Sequence, residues 1–480
     1  MVLVSAHSRA FGFLVSKRGV RRPRDAGPAA AGQVCWTNAS LVSQLILATR
    51  AVLRAQPAAR IMSISQNDNG NYCRSPEELA VINAEGSPAG PLLRAINAIA
   101  DAIADEFPAV AISTLAYDYS SPAPLLSKVR SNVIIQLCVG DKSAPADFMR
   151  PLSAAVNEPF RAQLQEWRSR ANASRLFVWN YVCDFGNYLQ AFPNYNVLGH
   201  DVRYLAQNTS VRGVFAESCG TGYWQHNPWG FRPTGPGSGT DMDELKSYVL
   251  SSMLWDPLQD PEDVISEFLD GYYSQEAAPH VRDFLSTMSS AAASARPQTS
   301  PSTNSAWNWR SNGPAYLTFE SLLRSHAAFG AALAAAPLPL HRQRLRKASM
   351  AVLLPALWRW DELREFSANH SIRWPLASTR AEAFQTFAEI YNESGTQGLV
   401  NVNFSPCGVH GWQTDCVFEC ALGWLHECIF TSSPAGCSPT GHPREREAPV
   451  AQPRKTDDEP LSQGCAGPAC AQVFVTVSIG

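Results

Sequence analysis

The chain has 480 residues, of which 45% are hydrophobic and 17% charged, and its formal net charge is −3. This length gives room for two or three domains with a substantial core. The weak net charge gives no electrostatic footprint for nucleic acid or an anionic membrane. The sequence contains no uninterrupted run of about 18 apolar residues, which is the length that a membrane-spanning helix needs. The 13 Trp and 13 Tyr would suit a sugar-binding cleft, although large cores also take up Trp.

The first 25 residues are basic, with six Lys or Arg and no acidic residue before Asp25. This composition is typical either of an organellar transit segment or of a chain whose true start lies upstream of Met1. A secretory signal would need a longer apolar stretch. Glycosylation sequons would matter only in a secreted protein; six occur, at Asn38, Asn172, Asn208, Asn369, Asn392 and Asn403. The sequence predicts a soluble protein and leaves its localisation open between secreted and organellar.

Between residues 40 and 217, strand-like runs alternate with helix-length segments. The predicted strands are apolar at nearly every position, as strands buried on both faces are: Ile61–Ser65, Val110–Tyr117, Asn132–Cys138, Leu176–Val182 and Val211–Phe215. Helical spacing predicts helices among them at Leu41–Ala55, Pro91–Phe107 and Phe160–Arg170. Repeated βα units predict a parallel sheet or barrel.

The second half of the chain is predicted to be mainly helical. Residues 218–240 are rich in Gly and Pro and hold Trp224, which favours a binding loop. Helices are predicted at 242–255, 261–273, 317–335, 342–366 and 379–391, with a linker at 290–305. Residues 431–470 have the composition of a disordered segment. This tail is either a genuine appendage or an artefact of the gene prediction.

The 12 cysteines are unevenly distributed, with seven between Cys407 and Cys470. Their spacing in the tail leaves disulfides open but does not fit a zinc ribbon. The sequence also lacks a Gly-rich phosphate loop and an HExxH motif. We therefore expect no metal site and no cofactor.

Polar and aromatic residues collect directly after the predicted strands, on the face where a barrel carries its active site. This set comprises Asp68, Tyr117, Asp118, Asp141, Asn180, Tyr181, Asp184 and Glu217. Such clustering is the strongest functional signal that the residues themselves provide.

Several sequence blocks resemble a glycoside-hydrolase-like family, domain of unknown function 4838, across roughly residues 33–275. They are Ser63–Cys73 (SISQNDNGNYC), Glu85–Pro88, Thr114–Tyr117, Val178–Tyr181, Phe192–Tyr195, Asp241–Leu245 and Leu254–Pro257. The family is similar to the barrels of α-glucuronidases and β-hexosaminidases. The resemblance implies an α/β fold: the C-terminal strands of a (β/α)8 TIM-type barrel, a helical domain and a disordered tail.

The chain departs from the family pattern in three places. The family's barrel begins upstream, so this chain would start near the fourth strand. Val139-Gly140-Asp141 stands where many members have a Glu-Cys pair. Ala216 occupies the usual Glu position after the last strand, and Glu217 follows one place later.

Glycoside hydrolysis needs one carboxyl group to protonate the leaving oxygen and a second to act as base or nucleophile. Asp68 is the candidate acid, although its Asn-Asp-Asn-Gly context also suits a tight turn. Glu217 is the candidate second carboxylate. Cys73 is not expected to be a nucleophile, since no His lies near it in sequence. The predicted substrate-binding residues are Asn67, Asn71, Tyr72, Tyr117, Asp118, Trp179, Asn180, Tyr181, Asp184 and Trp224, with Trp179 alternatively a core residue and the aspartates alternatively solvated.

The sequence therefore predicts a protein that hydrolyses O-glycosidic bonds of a polysaccharide or glycoconjugate, or a non-catalytic carbohydrate-binding remnant of such a barrel. Its expected partner is a carbohydrate, not nucleic acid. The expected regions are a basic, disordered or truncated start (1–32), a glycosidase-like barrel half (33–240), a helical domain (241–400) and a Cys-rich, largely disordered tail (401–480).

Overall fold

A computed structural model describes residues 2–5, 32–67, 69–141, 143–171, 175–184, 189–217, 241–295, 315–394 and 477–478. The predictions of disorder at the two chain ends fall mostly on residues outside these ranges. The same holds for most of the predicted 290–305 linker and for the whole 218–240 loop.

Five parallel strands form the centre of one curled sheet and pair in chain order. They are β2 (Ala59–Ser63), β3 (Ala111–Ala116), β4 (Val133–Cys138), β5 (Leu176–Tyr181) and β6 (Val211–Glu217). Two short strands extend the sheet: β1 (Val2–Ser5) pairs with β2 in parallel, and β7 (Val477–Ser478) pairs with β6 in antiparallel fashion. The prediction of five parallel strands is confirmed, and each predicted boundary lies within two residues of the observed one. The sequence pattern did not indicate β1 or β7.

Helices cover one face of this sheet. Those of the sheet region are α1 (Ala39–Ala55), α2 (Pro76–Glu85), α3 (Ala89–Ile103), α4 (Glu158–Arg170) and α5 (Val197–Asn208). The sequence pattern predicted neither α2 nor α5, although the end signals of α2 are present. Ser75 caps the first turn by accepting the N–H of Glu78 at 3.2 Å, Pro76 is its first residue, and Gly86 ends it at φ 64°. These are the usual start and stop signals of a helix.

The two faces of the sheet are packed differently. Met62, Ile112 and Val178 point towards the helices and belong to the main hydrophobic core. The alternate strand positions point to the other face of the sheet. Their side chains form a small separate cluster of Ile61, Ala111, Ile134 and Phe177. The ring of Phe177 fills the space beside Gly213, where a Cβ would come within 2.6 Å of it. The face of the sheet that the described helices leave uncovered, called the concave face below, therefore carries its own thin apolar layer.

The second half of the described chain is helical, as predicted. Its helices are α6 (Asp243–Trp255), α7 (Pro261–Tyr273), α8 (Ala278–Ser294), α9 (Phe319–Ala335), α10 (Pro339–Trp358), α11 (Trp360–Asn369) and α12 (Arg380–Glu393). Two details correct the sequence interpretation. Helix α8 continues to Ser294, inside the predicted linker. The single helix predicted at 342–366 is broken at Arg359, where the backbone leaves helical geometry (φ −112°, ψ 30°).

The buried carboxylate of Glu85 ties the end of α2 to the loop before β4. It accepts the N–H groups of Leu126 and Ser127 at 2.9 Å each, and the guanidinium of Arg94 approaches it to 2.7 Å. Burial would raise the pKa of Glu85, but these bonds and the Ser127 hydroxyl outweigh it and lower the pKa to about 2. The carboxylate therefore stabilises the fold in its charged form.

Replacing Glu85 by Gln should lower the free energy of unfolding at pH 7 by about 1–3 kcal/mol, because one hydrogen-bond acceptor of a buried network is lost. The wild-type contribution should fade as the pH drops from 4.5 towards about 2, since the folded-state pKa is depressed. Urea unfolding at both ends of this window measures the difference. Exposed Glu166→Gln on α4 is the control, and a deficit that does not shrink in acid would contradict this account.

Candidate active site at the strand ends

The carboxyl ends of β2–β6 lie along one edge of the sheet, because the strands are parallel and in register. Cys138 pairs with Trp179, and Tyr181 pairs with Glu217. This edge, called the rim below, brings together the predicted residues that follow the strands: Tyr117, Asp118, Asp141, Tyr181 and Glu217. The predicted Asp68 and Trp224 lie outside the described residues, so their part in the site stays a prediction.

The loop after β2, residues 64–73, is fastened to the segment before α1. The side-chain amide of Gln33 donates to the carbonyls of Asn67 (2.7 Å) and Asn69 (2.6 Å), and its oxygen accepts the N–H of Asn67 at 2.9 Å. A disulfide between Cys35 and Cys73 closes the far end of the loop. We did not expect Cys73 to act as a nucleophile, and in this disulfide Cys73 has no free thiol.

Within this loop the three predicted sugar-binding side chains differ in accessibility. Asn71 is exposed, whereas Asn67 is half-buried and donates its amide to the carbonyl of Gly32 at 3.2 Å. Tyr72 stacks on Tyr119 with ring centroids 5.5 Å apart. Asn71 is therefore the most accessible of the three, while Tyr72 and Asn67 make contacts that hold the loop in shape.

The turn after β3 presents Asp118 to this loop. Asp118 has a left-handed backbone (φ 48°), a conformation that Asp tolerates better than most residues. Its N–H donates to the carboxylate of Asp141, which follows β4. A Cβ on Gly70 would lie 3.2 Å from the Asp118 carboxylate. Gly70 therefore allows the loop after β2 to approach this carboxylate closely.

Glu217, at the end of β6, lies with Trp179 on the concave side. The indole N–H of Trp179 donates to the Glu217 carboxylate at 2.8 Å, and the Trp179 and Phe215 rings pack with centroids 4.1 Å apart. Side chains alternate along a strand, and Ala216 instead packs against the main core. Glu217 therefore lies on the concave face, whereas position 216, where the sequence resemblance puts a glutamate, faces the main core.

Two other predicted binding residues are buried. Asn180 is 6% exposed, and its side-chain oxygen accepts the N–H of Tyr181. Asp184 is 3% exposed and contributes to the electrostatic environment of Lys246. A ligand would therefore reach Trp179, Tyr181 and Glu217 before either of these groups.

A buried ion pair beneath the rim was not predicted from the sequence. Asp241 accepts the N–H of Phe192 (2.8 Å) and the hydroxyl of Tyr195 (2.6 Å), and the ammonium of Lys246 lies 3.4 Å from the same oxygen. Lys246 also donates to the carbonyl of Phe192 and lies over the Tyr195 ring. Burial raises the pKa of Asp241 and lowers that of Lys246, while each charge opposes the other's shift.

This cluster joins two of the family blocks that the sequence separates by 45 residues. Phe192–Tyr195 follows β5, and Asp241–Leu245 begins the helical region, so their contact fastens that region to the sheet. The available signal was only that Tyr195 and Asp241 stand in two separate sequence blocks, which does not reveal which residues meet. In the described residues, no group of three or more His, Cys, Asp or Glu is arranged to hold a metal ion.

These observations define the class: an α/β protein with a curled parallel sheet, helices on one of its faces and acidic and aromatic side chains at its rim. The chain belongs to the family described as "Domain of unknown function (DUF4838)", whose model matches residues 13–286. No curated protein matches it in sequence. Among the helices described, none is long and apolar enough to cross a bilayer.

A solved structure of a GH138 enzyme targeting pectin rhamnogalacturonan II is a remote match, with 9% sequence identity and a TM-score of 0.37. The match covers 82% of this chain and 70% of that one. At this distance the likeness supports no inference about a reaction.

Removing the Cys35–Cys73 disulfide by the double change Cys35→Ser and Cys73→Ser should lower the free energy of unfolding by about 2–4 kcal/mol, because a cross-link spanning 38 residues restricts the unfolded chain. Thermal or denaturant unfolding measures the loss. Adding reductant should destabilise the wild type more than the double variant, which keeps only the disulfide of Cys183 among the described cysteines. Equal stability of the two proteins without reductant would show that the cross-link contributes nothing.

Proposed function

We propose that residues 33–240 are the C-terminal half of a (β/α)8 TIM-type barrel and that its rim binds carbohydrate and hydrolyses O-glycosidic bonds. In this proposal the helical domain (241–400) supports the barrel half, and the terminal segments 1–32 and 401–480 are accessory. The ligand is a polysaccharide or glycoconjugate. Hydrolysis of this kind uses only protein carboxyl groups, so the proposal requires no metal or cofactor.

The observation that carries the proposal is the Trp179–Glu217 contact on the concave face. A partly exposed indole offers a flat surface on which a sugar ring can stack, and its N–H fixes the orientation of a carboxylate at the same strand ends. Barrel enzymes place their reacting groups at this end of the strands. An aromatic surface adjoining an oriented carboxylate is the pairing that a glycosidase subsite needs.

Asp68 would supply the second carboxyl group. It belongs to the loop after β2, which the Gln33 contacts and the disulfide hold in place. It would protonate the leaving oxygen while Glu217 acts as base or nucleophile, the division of labour that glycoside hydrolysis requires. Asp118 and Asn71, at the same end of the sheet, would accept and donate hydrogen bonds to sugar hydroxyls.

The alternative is a non-catalytic carbohydrate-binding remnant, and one specific observation favours it. The carboxylate of Glu217 already accepts the Trp179 N–H, and Ala216 stands where the resemblance puts a glutamate. In a binding module, this pair would serve as a hydrogen-bonding and stacking surface without proton transfer. The alternative keeps the aromatic surface and dispenses with Asp68.

If the site is catalytic, Asp68→Asn and Glu217→Gln should each lower kcat on a panel of aryl glycosides by about 10²–10⁴-fold, because each change abolishes proton transfer but keeps the side chain's shape. Oligosaccharide binding should change little. Glu166→Gln, an exposed carboxylate on α4, is the matched control and should retain full turnover. Turnover that survives both carboxamide changes would reject the assignment of Asp68 and Glu217.

The aromatic surface can be tested separately from catalysis. Trp179→Ala should raise the Kd for oligosaccharides roughly fivefold, which corresponds to the loss of about 1 kcal/mol of ring stacking. Trp255→Ala on α6, where the ring is 84% exposed, should leave the Kd unchanged. Calorimetric titration measures both, with the melting temperature as a check on folding. A wild-type chain with binding but no turnover would support the remnant, and a chain with neither would exclude both functions.

A further inference from the structure

We infer that this chain is an N-glycosylated protein of an oxidising compartment, with glycans on Asn38, Asn208, Asn369 and Asn392. The inference is independent of the proposed function. It rests on two unrelated structural observations: where the sequons lie and how the cysteines are bonded.

The first observation is that the asparagines in sequons are exposed, whereas the buried asparagines lie outside sequons. Every sequon asparagine in the described part of the chain is exposed: Asn38, Asn208, Asn369 and Asn392. By contrast, the buried asparagines among the described residues all lie outside sequons: Asn97, Asn157, Asn180 and Asn194. A glycan is bulky and hydrophilic and must project into solvent, so this distribution is the one that glycosylation requires.

The four sites are also sterically suitable. Asn38 is the N-cap of α1, and its side-chain oxygen accepts the N–H groups of Ser40 and Leu41. The amide nitrogen, which would carry the sugar, is not used in that cap. Asn208 and Asn369 end α5 and α11, and Asn392 lies in the last turn of α12. Each attached glycan would leave the helix end without displacing a packed side chain.

The second observation is that three of the four cysteines in the described part of the chain are disulfide-bonded. Cys35 and Cys73 form a disulfide, and Cys183 is also disulfide-bonded. Stable disulfides form in secretory and extracellular compartments, whereas the thiols of cytosolic proteins are kept reduced. The same compartments carry out N-glycosylation, so the two observations agree although neither depends on the other.

The modification itself is a group transfer from a lipid-linked oligosaccharide. The bond between the anomeric carbon and the diphosphate of the donor breaks, and a C–N bond forms to the asparagine Nδ2. One amide proton is released, and the lipid diphosphate leaves. The disulfide forms by loss of two electrons and two protons from the thiols to a protein disulfide oxidant.

The Asn38 and Asn208 glycans would lie at opposite ends of the sheet. Helix α1 runs back towards the start of β2, so its first residue lies on the rim side, next to Cys35, whose carbonyl accepts the Asn38 N–H at 3.1 Å. Helix α5 ends three residues before β6 begins, which places Asn208 at the opposite edge. A glycan on Asn38 would therefore border the loop after β2, and one on Asn208 would not.

The test uses the native full-length protein, captured by antibody from the cells that produce it. Peptide-N-glycosidase should increase its gel mobility and convert the four asparagines to aspartate, as read by mass spectrometry. Exposed Asn83, which lies outside any sequon, is the control and should stay unconverted. Mapping without reduction should find Cys35 joined to Cys73. Unchanged mobility with four unconverted asparagines, or free Cys35 and Cys73 thiols in the native protein, would overturn the inference.

Variants of the full chain, secreted from eukaryotic cells, identify the individual sites. Ser40→Ala removes the first sequon but keeps the Asn38 cap, which Asn38→Gln would disturb. Ser210→Ala removes the second at a hydroxyl that has no hydrogen-bond partner. Each variant should lose the mass of one glycan and keep the wild-type melting temperature within about 2 °C, as expected for substitutions that break no packing. A variant that retains every glycan would remove its site from the inference.

Discussion

The parallel direction of strands β2–β6 is the constraint on which the rest of the fold depends. Two adjacent parallel strands cannot be joined by a tight turn, so each needs a crossover segment. Because crossovers of this kind have one hand, the intervening helices all lie on the same face of a curled sheet. The opposite face is left with the thin layer of Ile61, Ala111, Ile134 and Phe177. The same constraint brings all the carboxyl ends of the strands to one rim.

The blocks that identify the family act largely as structural anchors in this fold. Glu85 holds the loop before β4, the residues up to Cys73 fasten the loop after β2, and Asp241 joins the helical region to the strand-end segment at Phe192. Buried polar groups are costly unless they are hydrogen-bonded, so these contacts give each of the three residues a structural role. Membership of the family therefore establishes an architecture, whereas a reaction has to be argued from the rim.

At the rim, the carboxylates have different surroundings although they follow neighbouring strands. Asp141 is engaged by the backbone of Asp118, Glu217 is oriented by Trp179, and Asp184 is enclosed near Lys246. Glu217 combines an oriented carboxylate with an adjacent aromatic surface, which is why the proposed chemistry rests on it. Positions 216 and 217 differ because one residue along a strand changes the face of the sheet to which a side chain points.

The sequence by itself determined the five strands, most helices and the rim on which their polar neighbours collect, because buried parallel strands are continuous apolar runs and helices repeat at a period of 3.6. It missed α2, whose faces are poorly separated, α5 between β5 and β6, and the break at Arg359. Only the tertiary structure decided that Asn180 and Asp184 are buried, that Trp179 reaches Glu217, and that Tyr195 meets Asp241. These are contacts between segments distant in sequence, and local periodicity contains no information about which side chains long-range packing brings together.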